Sequence, residues 1–408
     1  MSSPDSMTSR LGRLLSAPPI SIELLPGDRS DWAASTPPEH APFLFIERNL
    51  GIPQKLVYRI YIEAGLLLNH LRPRLRALQR NLLLPLEENV IRELHDMSAI
   101  LLVVNPAHHT ALNARKTLIL GGHLSPTIEL GFTNALLTLR DGSKQSTLWH
   151  HRRWLLRRIH QSTLSPSPST DGVSTPRRVQ GDADDTLVHY LIPADALQAE
   201  LDVTARACEL YERNYHAWAH RAVLLSYIVS LPSSSSSTLM AEERRWTRAW
   251  LARHVADYSA AQYACQLEAA LPRSAMATPN IALAHVGEDE GSAASHALSL
   301  VRSYPTHETL WLYLRGALSG SPSSPRSPAR LYAEHALAEK DAWTHAVRFL
   351  AWVLWQEGAI KASAKVVRRI TMVAEHEESE VSGITAVSSS EAIVAIIQSS
   401  ISSPELGE

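Results

Sequence analysis

Two stretches of this chain read almost as copies of each other: KQSTLWHHRRWLL at 144–156 and RNYHAWAHRAVLL at 213–225. Trp149 aligns with Trp218, His151 with His220 and Arg152 with Arg221, and the pairs Leu155–Leu156 and Leu224–Leu225 coincide. AHHTALNARKTLIL (107–120) is a weaker third copy, with Leu112 in the tryptophan position and Arg115 in the arginine position. ADYSAAQYACQL (256–267) keeps an opening Asp257-Tyr258 but neither Trp nor Arg, and HETLWLYLRGAL (307–318) keeps Trp311 with its arginine displaced to Arg315. Arg115 and Arg152 are 37 residues apart, and the longer step to Arg221 is one such period stretched by a polar insertion at 162–185. Apolar residues recur at i, i+3, i+4 spacing, as in LVYRIYIEAGLLLNHL (56–71), and alternation of period two never lasts long enough for a strand. Each unit is then a helix, a turn and a second helix carrying the motif. One such hairpin cannot bury its own apolar stripe, so several must stack. The expected fold is all-α: a right-handed α-α superhelix, a crescent of about five or six helical hairpins.

The rest of the chain is compatible with that array. A hydrophobic content of 45% supports a substantial core. Lys and Arg total 39 against 41 Asp and Glu, a balance that argues against a protein built to coat nucleic acid. Cys208 and Cys265 form no disulfide framework and lack the spacing of a zinc site, so they read as core residues of a reducing compartment. The N-terminus, MSSPDSMTSRLGRLLSAPP, has no signal-peptide core, and SPELGE at the end has no lipidation cysteine. Apolar runs such as AILLVV (99–104) fall short of the roughly 18 residues needed to cross a bilayer. The expectation is a cytoplasmic protein with no stable membrane insertion. Composition divides it into a partly disordered N-terminal extension (1–42), the superhelix (43–375) and a C-terminal tail (376–408), with disordered Ser/Pro-rich inserts near 162–185, 232–238 and 319–328.

Within a helix, a Trp and the Arg three positions on share a face. Trp149, Trp218 and Trp311 are expected to wedge between adjacent hairpins. Arg152 and Arg221 are expected to meet carboxylates or helix-end carbonyls of the neighbouring hairpin. Metal binding does not fit: adjacent histidines such as His150 and His151 point about 100° apart on a helix, and no glutamate lies between His216 and His220. Ser146 or Thr147, Asn214 and Asp257 are good helix N-caps. A stack lines such helix starts up along one edge, and Lys144 immediately precedes one of them. That edge suits a phosphate or diphosphate, although a solvated lysine beside a cap fits the spacing equally well.

The Asn-Tyr-x-Ala-Trp-x-His-Arg pattern followed by Leu-Leu resembles the repeat of protein prenyltransferase α subunits, from about residue 43 to 375. RNYHAWAHR is nearly an ideal copy, and KQSTLWHHRR shares the lysine and the WHHRR core. The opening ISIELLPGD…PFLFIERNLGIPQK is similar to that of the α-subunit repeat-containing branch, which stands apart from farnesyltransferase and Rab geranylgeranyltransferase α subunits. The resemblance implies a heterodimer with a prenyltransferase β subunit of the Rab type. That partner would carry the zinc, with no cofactor in this chain. It implies geranylgeranyl transfer from geranylgeranyl diphosphate to a protein substrate with a C-terminal cysteine, a Golgi SNARE among the candidates. It further implies that Lys144 is the catalytic contribution of this chain, facing the diphosphate, with Asn214, Tyr215 and His216 lining the same cleft. Gln145, Ser146 and Thr147 replace the family's Asn-Tyr-Gln after the lysine.

The alternative is a non-catalytic helical-repeat scaffold for protein–protein interaction, favoured by the degenerate copies at Asp257 and His307 and by the large inserts. Either way the isolated chain is expected to be inactive, since nothing in it could activate a thiol.

Overall fold

The computed structural model describes residues 6–27, 31–32, 37–82, 84–160, 186–270, 291–320, 327–337 and 343–357. They fall into two compact units, Met1–Leu231 and Pro232–Glu408. The first begins with helix α1 (Met7–Ser16) and three short strands, β1 (Ser21–Leu25), β2 (Leu44–Ile46) and β3 (Asn49–Pro53). A long helix α2 (Gln54–Arg80) follows, then the hairpin of α3 (Glu88–Val104) and α4 (His109–Leu120). In the next hairpin, α5 (Pro126–Leu136) and α7 (Ser146–Ile159) are joined through the short α6 (Arg140–Ser143), and α8 (Ala194–Leu210) with α9 (Tyr215–Ser230) completes the unit. The second unit has the hairpins α10 (Ser233–Arg253) with α11 (Tyr258–Ala270), α12 (Ala293–Ser303) with α13 (Glu308–Gly320), and α14 (Ser327–Ala336) with α15 (Trp343–Gln356). The helical-hairpin array expected from the repeat is therefore the architecture of the chain.

Three segments differ from the expectation. The chain is not purely helical: β3 lies between β1, which it pairs in parallel (Ile22 opposite Leu50), and β2, which it pairs antiparallel (Leu44 opposite Gly51). These strands are three to five residues long, too short for alternation to emerge from the sequence. The sheet is fixed to the helices by Thr138, whose hydroxyl accepts from the Ile22 amide at 2.9 Å.

Nor is the N-terminal extension merely a tail. Ser6 caps α1 by accepting from the Ser9 amide, and the helix buries Leu11 and Leu15 as it packs on α3. Gly12 permits the close approach, because a Cβ there would lie 2.7 Å from the Asp96 side chain. Finally, the serine run at 233–238 is the first turns of α10, entered from Pro232, where proline's fixed φ leads into a helix. The 162–185 insert and the 376–408 tail lie outside the described residues, as does the middle of the 319–328 segment.

Replacing Leu11 by Ala is expected to cost about 2–4 kcal/mol, as for a large-to-small change in a close-packed core. A denaturant melt of the full chain checks this, and an unchanged midpoint would mean that α1 is not part of the cooperative core.

Candidate functional site

Buried arginines set the spacing of the first three hairpins. Arg115 on α4 is fully buried and donates to both oxygens of Glu129 on α5, at 3.0 and 2.8 Å from its Nε. His151 on α7 donates from Nε2 to the same carboxylate at 2.9 Å. One hairpin further on the set recurs: Arg152 on α7 makes two 2.6 Å bonds to Glu200 on α8, and His220 on α9 meets Glu200 at 3.0 Å. Each guanidinium also reaches a hydroxyl on the first helix of its own hairpin. These are Ser98 for Arg115, Thr133 for Arg152 and Thr204 for Arg221.

Electrostatics follow from this packing. Burial opposes charge on Glu129 and Glu200, but the adjoining arginine and histidine outweigh it and hold each carboxyl down to about 2. Burial keeps His151 and His220 below the ordinary imidazole range, against the raising effect of their glutamates. Both are neutral donors in an ion pair already satisfied by arginine. Among the described residues His151 Nδ1 is correspondingly a buried nitrogen without a hydrogen-bond partner. Sequence reasoning marked the arginines and aligned the histidines but missed Glu129 and Glu200. The signal was present, since a buried guanidinium requires a buried counter-ion and both glutamates sit on the first helix of a motif hairpin.

The tryptophans are buried as well. Trp149, Trp218 and Trp311 are each at most 3% exposed. Trp149 donates its indole N–H to the Ser143 carbonyl at 2.8 Å, and Trp311 makes the corresponding bond to Pro305 at 2.7 Å. Arg152 meets a carboxylate of the following hairpin, and Arg221 donates to the Leu201 carbonyl and to Thr204 on the first helix of its own hairpin.

The Ser143 carbonyl also receives the Asn214 side-chain amide at 2.9 Å. Asn214 is buried, gives its second amide hydrogen to the Ala207 carbonyl and caps α9 by accepting from the Ala217 amide. It therefore does not line a cleft, which corrects the expectation for this residue: its polar atoms are consumed in joining the start of α9 to the start of α7. Asp257 caps α11 through the Ser259 and Ala260 amides. For α7, however, the cap position is Gln145, which makes no side-chain capping bond, in place of Ser146 or Thr147.

That junction carries an exposed rim. Lys144 follows Ser143, is half-exposed, pairs with Asp141 at 2.7 Å and lies over the Tyr211 ring at 5.8 Å. Arg140 covers the same ring at 5.5 Å. Tyr215 and His216 follow Asn214, with Tyr215 open to solvent and the two rings edge-to-face at 5.4 Å. Partial burial, then the nearby His150 and Arg153, lower the pKa of His216. His150 accepts from Arg153 at 3.0 Å. The structure thus places Lys144, Tyr215 and His216 on adjoining helix starts and adds Tyr211, His150 and Arg153 to them. Among the described residues no group of three or more His, Cys, Asp or Glu is placed to hold a metal ion, and no helix is long and apolar enough to cross a membrane. What such a rim suits is an anion with several oxygens: an ammonium, imidazole and phenol donors, and the amide ends of two helices.

Comparison with known proteins accords with this arrangement. The model of the protein prenyltransferase alpha subunit repeat matches residues 197–228, which span α8 and α9. The human protein prenyltransferase alpha subunit repeat-containing protein 1 is 30% identical over 310 residues, covering 67% of this chain and 68% of that protein. Its counterpart from Danio rerio is 29% identical over 298 residues, covering 67% and 63%. The geranylgeranyl transferase type-2 subunit alpha of Saccharomyces cerevisiae is 26% identical over 191 residues, covering 45% of this chain and 48% of that subunit.

Two outcomes follow from the ionic ladder. Glu200→Ala should destabilise the chain by about 3–5 kcal/mol, since it leaves Arg152 buried without its counter-ion. The double change Arg152→Met with Glu200→Leu should recover most of that loss in a urea melt. The pH dependence has a fixed sign. Because the folded pKa of each glutamate lies below its unfolded value of 4.5, the stabilisation is present above that value and is lost as pH falls toward about 2. The lowered histidines act in the same direction below their ordinary 6.5. Unfolding midpoints measured from pH 7 to 3 should therefore fall on the acid side, and less steeply in the double variant.

Proposed function

We propose, from the premise that this chain belongs to the family of protein prenyltransferase alpha subunit repeat-containing proteins, that it acts as the α-type half of a heterodimeric protein geranylgeranyltransferase. The observation that carries the proposal is the rim at the junction of α7 and α9. Lys144, Tyr215 and His216 are displayed there because Ser143 and Asn214, one residue away on each side, are locked together in the core. Lys144 and the Tyr215 and His216 donors would stabilise charge building on the diphosphate as it leaves geranylgeranyl diphosphate. The acceptor is a cysteine thiolate near a protein C-terminus, for which a Golgi SNARE is a candidate. Under this proposal a β subunit, of the Rab type, supplies the zinc, the isoprenoid pocket and thiol activation, and the complex works in the cytoplasm. Asp141 holds Lys144 in place at 2.7 Å. Its contribution is positional, since it orients the ammonium while partly neutralising it.

The second reading, a scaffold that binds proteins without supporting transfer, is favoured by that same ion pair. A lysine already paired with an exposed carboxylate has less field to offer an anion. Co-expression with candidate β subunits, followed by pull-down and a labelled-isoprenoid assay, separates the two. The chain alone should be inactive, and an active heterodimer should lose about 10²–10³-fold in turnover with Lys144→Ala, as for removal of one preorganised donor. Unchanged turnover would remove Lys144 from the chemistry, and failure to bind any β subunit would leave the scaffold.

A further inference from the structure

Helix α2 presents a second surface that the transferase proposal does not use. Its sequence, QKLVYRIYIEAGLLLNHLRPRLRALQR, carries six Lys and Arg against one Glu. One face is core, along the line of Ile60, Ala64 and Leu68. At 100° per residue the opposite face carries Tyr58, Ile62 and Leu66, spaced i, i+4, i+8 over about 12 Å. These three are 76%, 44% and 67% exposed, and beside them Gly65 opens onto empty space, with nothing within 4 Å of where a Cβ would stand. The same outward face continues into Arg72, Arg76 and Arg80, flanked by Arg59 and Arg74, all of them exposed. Among the described residues none of these five arginines has a carboxylate in ion-pair contact. A helix that closes the end of a repeat stack ordinarily shows a polar outer face, whereas this one shows an apolar ridge and a field of unpaired cations.

We infer that the outward face of α2 docks on an anionic lipid surface, with Tyr58, Ile62 and Leu66 entering the headgroup boundary and the arginines meeting lipid phosphates and carboxylates. Charge decides the occupant. A second copy of α2 would set cations against cations. A partner helix covers a stripe on the order of 100° wide, yet the basic side chains fan over roughly 200° of the helix circumference. One acidic helix would therefore leave the outer arginines without counter-charge. Long guanidinium side chains can reach down from both flanks to a plane, where mobile anionic headgroups meet all of them. Between four and eight basic residues on one amphipathic helix is also the density at which such surfaces bind. The contact is peripheral, with the apolar ridge too short to span anything.

The test is sedimentation of the full chain with vesicles of phosphatidylcholine alone and of phosphatidylcholine with phosphatidylserine, three parts to one. Binding is expected to the serine-containing vesicles only and should weaken as salt is raised. Arg72→Glu, Arg76→Glu and Arg80→Glu together should reduce it about a hundredfold. Tyr58→Ser, Ile62→Ser and Leu66→Ser together should reduce it about tenfold. All six positions face solvent, so an unchanged melting temperature shows that the variants remain folded. Equal binding to neutral vesicles, no binding to anionic ones, or wild-type binding by the arginine variant would overturn the inference. So would a photocrosslinker at Ile62 that labels protein and never lipid in cells. None of these readouts depends on Lys144 or on a β subunit.

Discussion

A buried guanidinium is the most demanding group in this chain, and the way it is neutralised organises everything around it. Taking a charge out of water costs several kcal/mol even after relaxation, and only a well-placed counter-ion with further hydrogen bonds offsets that. Arg115 and Arg152 each solve this across the boundary between hairpins. The arginine comes from one hairpin, the glutamate from the first helix of the next, and a neutral histidine from the second helix of that next hairpin. Three helices must be in register for the set to close. Apolar burial could tolerate sliding of one hairpin over another, whereas a bidentate pair at 2.6 Å cannot. Apolar surface thus supplies most of the cohesion, and the ionic set fixes the pitch.

That fixed pitch connects the core to the rim. The Ser143 carbonyl sits where the α5–α7 and α8–α9 hairpins meet and accepts from Trp149 and Asn214 together. Trp149 in turn stacks at a tilt against His220, 5.2 Å between rings, and His220 belongs to the Glu200 set. A chain of direct contacts therefore runs from the buried carboxylate to the residues flanking Lys144 and Tyr215. Asn214 acts through this chain as a positioning residue. Its substitution would disturb the rim by loosening both helix starts, without removing any group that faces solvent.

What could be read from the sequence was whatever the repeat imposes more than once. Trp149 and Trp218, Arg152 and Arg221, and the hairpin architecture were legible because two thirteen-residue copies agree at five positions, the Trp, His, Arg and Leu-Leu of the motif. Glu129 and Glu200 were not, because a lone glutamate on an amphipathic helix looks like any solvated one until the arginine opposite is known to be buried. The strands β1 to β3 escaped because each is shorter than the window over which period two can be recognised. α1 escaped because its apolar positions, Leu11 and Leu15 among them, lie in a Ser- and Pro-rich stretch whose composition reads as a tail. The serines of α10 misled for the same reason. A polar run on the outer turn of a helix and a polar run in a loop have the same composition, and only packing of the later residues Met240, Trp250 and Leu251 distinguishes them.

The ladder also explains the copies that depart from the motif. Counted back from its arginine, the first hairpin has Leu94 where the third has Glu200, and Ala114 where the motif otherwise has His151 and His220; both are fully buried. The arginines of α2, the helix before that hairpin, are all exposed, so a carboxylate at Leu94 would be a buried charge with no buried arginine of α2 to neutralise it. At the other end Ala264 occupies the arginine position of α11, and the hairpin after it correspondingly has Ala293 where a glutamate would stand. Tyr263, in the histidine position, still donates to a carboxylate, Glu243 on α10, at 2.8 Å. Arginine and glutamate thus disappear together and apolar residues take their place, a replacement that ordinarily leaves stability unchanged or improved. Within the second unit the loss of arginine at Ala264 is thus matched at Ala293, while the loss of the tryptophan at Ala261 is a separate change. The choice between catalytic subunit and scaffold rests on the field around Lys144.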